Sequence, residues 1–363
     1  MSYLGERWGA KKNPAYWRGF VTFTLIVFLL CRFDGVMAAV VEAINRPAIV
    51  SSLGSHSVLL DVAYAGKNLV AVGERGTILI SADGGDAWRQ IASPVSVTLT
   101  GVRFIDDSKG YIIGHGGSVL STENGGEDWT LQLDGSLLAD DLLAQAVKNN
   151  DPQAIRRAHL LVADGPDKPF LDILLLGAKH LIVVGAYGFV FESKDGGQTW
   201  NSWMDRIDNP FGLHLYSIRK QGNRILIAGE QGFVALSMDD GQSFETIETP
   251  YEGSFFTAQL LGDSDIVLAG LRGNSFISHN DGGDWKKIDN PVAASITASL
   301  IRSNGQILMV NKAGMVLSLN GNQFIPMTYR PLSPLSNMLE KSDGGMLVLS
   351  IHGAVSIEVG NLP

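Results

Sequence analysis

The chain has 363 residues, with 28 lysines and arginines against 37 aspartates and glutamates and a formal charge of −9. That balance argues against a nucleic-acid surface, which needs clustered Lys and Arg to displace counterions from phosphates. A single cysteine excludes an internal disulfide framework, and 45% hydrophobic with 18% charged residues suits a packed globular chain.

The first segment reads as a targeting signal. Arg7, Lys11, Lys12 and Arg18 precede an apolar run from Phe20 to Cys31, and small residues follow in Val36-Met37-Ala38-Ala39. This is the order of a secretory signal peptide. The run is shorter than the roughly 20 residues a membrane-spanning helix needs, and extending it places Arg32 and Asp34 in hydrocarbon. Residues 1–39 are therefore a signal peptide or an uncleaved N-terminal anchor. Either one exports the rest to the periplasm, free or tethered to the cytoplasmic membrane. Leu30 before Cys31 is too bulky for the usual lipid-attachment motif.

From residue 45 onward one pattern repeats. It runs Leu69-Val-Ala-Val-Gly73, Glu-Arg-Gly76, Thr-Ile-Leu-Ile-Ser81, then a glycine-rich turn to Trp88. Copies follow at 111–129, 182–200, 225–244 and 266–285, with weaker ones at 307–324 and 346–358. The strand-end residues are Gly73, Gly114, Gly185, Gly229, Gly270, Asn311 and Ser350, at steps of 41, 71, 44, 41, 41 and 39. A period of about 40–45 residues with four short strands is that of a propeller blade. The expected fold is all-β: a seven-bladed propeller over residues 45–360. The seventh unit lacks a fourth strand of its own, and an open ring leaves unpaired edges. Pro47–Leu53 is expected to supply the missing strand and close the last blade.

The one long step holds a helical insertion, residues 134–168, between blades two and three. Leu138, Leu142, Leu143, Ala146 and Val147 have helical spacing, and Asp151-Pro152 is an N-cap followed by Pro at the first helical position. Ile155, Ala158, His159 and Val162 continue a second stripe. The hairpin either caps the propeller edge or docks a partner, with Leu138, Leu142, Leu143 and Ile155 as docking candidates.

The turns between third and fourth strands share Ser/Thr-x-Asp/Asn-x-Gly-x-x-aromatic, carried by Asp83, Asn124, Asp195, Asp239 and Asn280. Such side chains bond nearby backbone amides and fix turns. Repetition in blade after blade marks them as structural, since an active site is needed once. A sixth copy, Ser318…Asn320…Phe324, is one residue short.

These turns resemble the Asp-box, or bacterial-neuraminidase, repeat proteins. The run Ala-Val-Gly…Gly…Ile…Ser…Asp-Gly-Gly…Trp, over about Asn45 to Val359, is most similar to the photosystem II stability and assembly factor family and its relatives in non-photosynthetic bacteria. The resemblance implies a chaperone-like or scaffolding role at a membrane complex, and for the non-photosynthetic relatives an association with RND-type exporters.

In a propeller, the turns between second and third strands share a face with the connections between blades. Here that face carries Glu74, Arg75, His115, Tyr187, Glu230, Gln231, Arg272, Asn274, Lys312 and His352. Their chemistry varies from blade to blade, as expected of a binding face on a rigid scaffold. A row of solvated hairpin turns would look the same. No zinc spacing, Walker loop or dinucleotide fingerprint occurs, so no metal, cofactor or catalytic residue is expected.

The leading functional expectation is a non-enzymatic scaffold whose partner is an integral membrane protein or transporter complex. The alternatives are a carbohydrate- or lipid-binding module and a sialidase-like glycosidase. The last needs an arginine triad, and Arg75, Arg103, Arg224 and Arg272 offer no assignment from sequence alone.

Overall fold

A computed structural model describes residues 42–327 and 330–358. It contains the seven blades the period implies. Each blade is one antiparallel sheet with its strands in chain order. The inner strands are Leu59–Ala65, Leu99–Phe104, Phe170–Gly177, Leu215–Gln221, Phe255–Leu261, Ile296–Ile301 and Leu335–Glu340.

The second strands explain the apolar runs. In Asn68–Gly73 every residue after the first is buried. Val70 and Val72 face blade two, while Leu69 and Ala71 face blade seven. A strand between two stacked blades is apolar on both sides, and each fully buried Val or Leu contributes about 1.5–3 kcal/mol.

Every inner strand carries a β-bulge at the same place, where two residues oppose one on the second strand. In blade one the shift lies between Leu59 and Asp61, and in blade four between Leu215 and Ser217. The bulge bends the strand at the channel mouth and re-aims one side chain per blade.

The expected closing strand is not formed. Pro47–Leu53 has no strand structure, and among the described residues blade seven is a sheet of three strands, the last being Gly353–Ile357. Pro47 has no N–H to give to a ladder. The backbone around it is engaged elsewhere: Ala48 N–H donates to Ser93 O at 3.0 Å, and Ser51 N–H donates to Gln90 Oε1 at 2.8 Å. Residues 43–56 instead form a belt from blade two, past blade one, to blade seven. Ile44 packs in the core shared by blades one and two. The turn Gly54–His56 reaches blade seven, where a Cβ at Gly353 would strike Ser55 O.

Side chains close the ring. Ser336 Oγ donates to Leu59 O, and Tyr64 Oη donates to Glu340 O at 3.3 Å. Leu347 and Leu349 of blade seven share a core cluster with Leu59 and Leu79 of blade one.

The insertion is two helices, α1 (Gly135–Lys148) and α2 (Pro152–Asp164). Asp134 caps α1 and Asp151 caps α2, each accepting two backbone amides, with Pro152 at the first helical position. Among the described residues no helix is long and apolar enough to cross a membrane. The expected leader, Cys31 included, lies outside the described residues.

Candidate partner-binding face

The turns between second and third strands share one geometry in blades one to five. In blade one, Gly73 N–H donates to Thr77 O and Thr77 N–H to Glu74 O, both at 3.0 Å. The residue at the tip is held left-handed: Arg75 at φ 55°, Tyr187 at 58°, Gln231 at 54° and Arg272 at 56°. Blade two has Gly116 there, at φ 68°. The next residue is a buried glycine, and at Gly76 a Cβ would strike Val95 O. Glycine is therefore required at the second position but not at the tip. Four tips keep a side chain where glycine fits without strain, and such strain gathers at binding sites.

The named residues do not all present themselves. Arg75, Tyr187, Gln231, Arg272, Lys312 and His352 are exposed, whereas Glu74, His115, Glu230 and Asn274 are half-buried. Asn274 Nδ2 donates to Leu271 O at 3.1 Å, tying its own turn. Glu230 Oε2 accepts the His214 amide at 3.1 Å and braces the start of its own blade's inner strand. In the last two blades a side chain orders the turn: Asn311 Oδ1 accepts the amides of Ala313 and Met315, and Ser350 Oγ accepts that of His352.

An aromatic run crosses this face. Tyr187 meets His214 edge-on at 5.3 Å, His214 meets Tyr216 at 6.3 Å, and Tyr216 meets Phe256 at 5.2 Å. Tyr216 and Phe256 sit at bulge positions and line the channel. The run therefore leads from the outer face of blade three to the channel mouth at blade five. Beside it, Phe211 is 87% exposed and Tyr187 55%. Asn209 pins the Phe211 loop, with Oδ1 accepting the Leu213 amide at 2.9 Å and Nδ2 donating to Leu213 O at 3.0 Å. Sequence reasoning named only Tyr187. The rest required knowing which residue of each inner strand occupies the bulge.

The channel, about 750 Å³, contains a chain of polar contacts between neighbouring blades. Asn337 Nδ2 donates to Asp61 Oδ1 at 2.7 Å. Arg103 pairs with Asp61 and reaches Asp172 at 3.3 Å. Arg219 pairs with Asp172. Burial pushes the Asp61 carboxyl upward, against the pull of Arg103 and the Val102 amide. Burial also works against the Arg103 charge, but Asp61 and Asp172 hold its pKa above the ordinary value. Each carboxylate accepts four donors, two of them backbone amides. They are occupied in joining blades.

Other arginines lie elsewhere. Arg75 and Arg272 sit on turn tips, and buried Arg224 pairs with Asp281 at 2.7 Å near the Asp-box turns. These do not converge with Arg103 into a triad. No group of three or more His, Cys, Asp or Glu is placed to hold a metal among the described residues, and His115 and His352 belong to no such group.

The opposite face carries the Asp-box turns. Ser81 Oγ donates to Asp83 Oδ1 at 2.8 Å, and that oxygen accepts the amides of Asp86 and Ala87. Asn124 and Asn280 accept the matching amides of Asp128 and Asp284 through Oδ1. Asp195 and Asp239 repeat the pattern. The sixth copy is a tight hairpin, with Asn320 paired to Gln323 across Gly321-Asn322.

The insertion corrects one docking set. Leu138 is buried with Leu133, Phe170 and Phe189, and Leu142 packs on the same cluster. Leu143 and Ile155 are half-buried. The spacing revealed an apolar stripe but not that it faces the propeller. The exposed apolar side chains of the hairpin are Leu137, Val147, Leu160 and Val162.

Seven blades, Asp-box turns and a face of varied tips define an Asp-box propeller. The family model described as "Photosynthesis system II assembly factor YCF48" matches residues 42–158 and 153–357. The chain belongs to that family. A photosystem II assembly lipoprotein Ycf48 from Synechococcus sp. (strain CC9902) is 29% identical over 100 residues, 27% of this chain and 30% of that protein. The matched part is thus under a third of that relative. A solved structure of YCF48 bound to D1 peptide superposes with a TM-score of 0.63 at 16% identity, covering 87% of this chain and all of that one. A streptogramin B lyase superposes with a TM-score of 0.63 at 11% identity, covering 87% of this chain and 99% of its own. These two likenesses establish the fold alone.

Proposed function

We propose that this protein is an exported, non-enzymatic assembly or accessory scaffold that holds a segment of a membrane complex on the face bearing Tyr187 and Phe211. The complex we name is a transporter of the RND type, and the location is the periplasm, with the leader as signal or tether. The observation that carries the reading is the aromatic run from exposed Tyr187 to the channel mouth. Rigid aromatics offer large contact area at low entropy cost. Family membership adds to it, as does the relative solved with a peptide of D1. The non-enzymatic part rests on the channel carboxylates, whose acceptor capacity is filled by neighbouring blades.

The test is a cross-linking pull-down from native membranes with a C-terminal tag. Recovery of a stoichiometric integral membrane transporter, lost in Tyr187→Ser/Phe211→Ser, is the expected outcome. Recovery of the propeller alone sinks the reading. A second reading, a glycan-binding module, draws on the same two exposed aromatics, because sugar rings stack on such faces. Saturable binding to a glycan array, lost in the same double variant, would select it.

A further inference from the structure

Six blades have a fourth strand and the seventh has none among the described residues. Among the described residues its outermost strand, Gly353–Ile357, pairs with Met346–Ser350 alone. Val355 is 43% exposed, and Ser356 beside it is also exposed. Native proteins usually guard such an edge with charge, proline or a bulge. Gly-Ala-Val-Ser-Ile has no charged residue and no proline, and its register is regular. The unpaired backbone groups of an open, flat edge are a template for one more strand.

The other blades show what the place accepts. Before or within each fourth strand stands an aromatic that packs toward the preceding blade: Trp88, Trp129, Trp200, Phe244, Trp285 and Phe324. The cluster between blades six and seven has no aromatic among the described residues. Met327, Met338 and Met346 fill it instead, and methionine adapts readily to a changed neighbour. On the other side of blade seven, where it meets blade one, the belt residues Ile49, Val50 and Leu53 are 86%, 59% and 69% exposed. The turn following them touches both Gly353 and Gln90 of blade one.

We infer that the open edge of blade seven is a strand-acceptor site, and that its occupant is an extended, uncharged segment of the membrane partner led by an aromatic residue. The inference rests on the scaffold reading for the identity of the partner, and on the edge itself for the chemistry. The strand carries no charge of its own, and the nearest cation, Lys341, whose Nζ lies 3.5 Å from Ser356 Oγ, is already paired with Asp343, so an uncharged segment fits the edge without competing for that pair. The segment pairs with Gly353–Ile357, and its aromatic packs at the partly buried rim of the methionine cluster, beside Ile357.

The probe is a labelled peptide, Trp-Thr-Leu-Gln-Leu, the sequence of residues 129–133 of this chain. It is titrated into the full chain and followed by fluorescence anisotropy. Saturable binding is expected, weakened about tenfold by Val355→Lys, which sets a charge on the edge, or by Val355→Pro, which removes a backbone N–H. If the proline variant fails to fold, the lysine variant decides. Tyr187→Ser leaves the peptide affinity unchanged. Absence of saturable binding, or equal binding by the Val355→Lys chain, overturns the site. Dimerisation of the chain that Val355→Lys abolishes and the peptide does not compete with overturns the partner in favour of a second copy. In the membrane pull-down, a Val355→Lys chain that retains its partner at full stoichiometry overturns the partner's segment as occupant while the scaffold reading stands. If the wild-type chain captures no membrane protein, the scaffold reading and the assigned partner fall together, and the peptide titration still decides whether the edge accepts a strand.

Discussion

Asn337 and Asp61 meet across the closure of the ring, Nδ2 donating to Oδ1 at 2.7 Å although 276 residues separate them. Among the described residues no strand is shared between the two ends, and such contacts carry much of the closure. Asn337→Leu removes the donor and leaves a buried carboxylate oxygen short of one partner, at a cost of about 1–3 kcal/mol. Arg103→Ala removes the cation between Asp61 and Asp172 and is expected to cost more, about 3–5 kcal/mol, because buried Asp61 loses its paired cation and Asp172 is left with Arg219 alone. Chemical denaturation of the three proteins checks the order. If both variants match wild type, the channel chain is not what joins the blades.

The Asp-box aspartates predict an acid limb of stability. The hydroxyl and amide of Ser243, with Ser237 Oγ–H, hold the Asp239 carboxyl at about 2, below its ordinary 3.8. The Ala87 amide and the Ser81 hydroxyl likewise lower Asp83. A carboxyl that binds its proton less readily when folded stabilises the fold fully above the ordinary value, and the contribution is lost as pH falls through the folded one. Melting temperature should therefore drop between pH 3.8 and about 2. Asn124 and Asn280 make the same amide contacts without a charge. Asp239→Asn should thus fold at pH 7 and show a shallower acid decline. An unaltered slope would mean that other groups set the acid limb.

The blades were legible because each repeats one local solution: apolar strands at a fixed spacing, Gly76-type turns and Asp-boxes. The insertion was legible from Asp151-Pro152 and its helical stripe. The closing strand was misplaced because Pro47–Leu53 has strand-like composition, and nothing local shows that Gln90 and Ser93 capture its backbone. Leu138 was misassigned for a related reason, since helical spacing shows an apolar face but not what covers it. The aromatic run was invisible because Tyr187, His214, Tyr216 and Phe256 come from three blades and meet only through the bulge.

Tyr187 sets stability against binding. Its backbone is left-handed at φ 58°, a conformation that costs a non-glycine residue about 1–2 kcal/mol. Tyr187→Gly relieves that strain and should raise the melting temperature slightly, less what is lost in contact with His214 and Phe189. Capture of the membrane partner should fall. A variant that binds normally would remove Tyr187 from the binding face.

The hairpin should separate packing from docking in the same way. Leu138 is buried against Phe170 and Phe189, so Leu138→Ala should cost about 2–5 kcal/mol, the usual range for a buried leucine. Leu160 is 64% exposed and Val162 is 43%. Changing both to serine should leave stability within about 0.5 kcal/mol of wild type, as surface substitutions do. Denaturation and membrane capture are measured on the same preparations. Lost capture with wild-type stability in Leu160→Ser/Val162→Ser would make the exposed side of α2 a second contact for the partner. Full capture would leave the hairpin as a cover for the core between blades two and three, where Gln145 Nε2 already donates to Trp200 O at 3.0 Å.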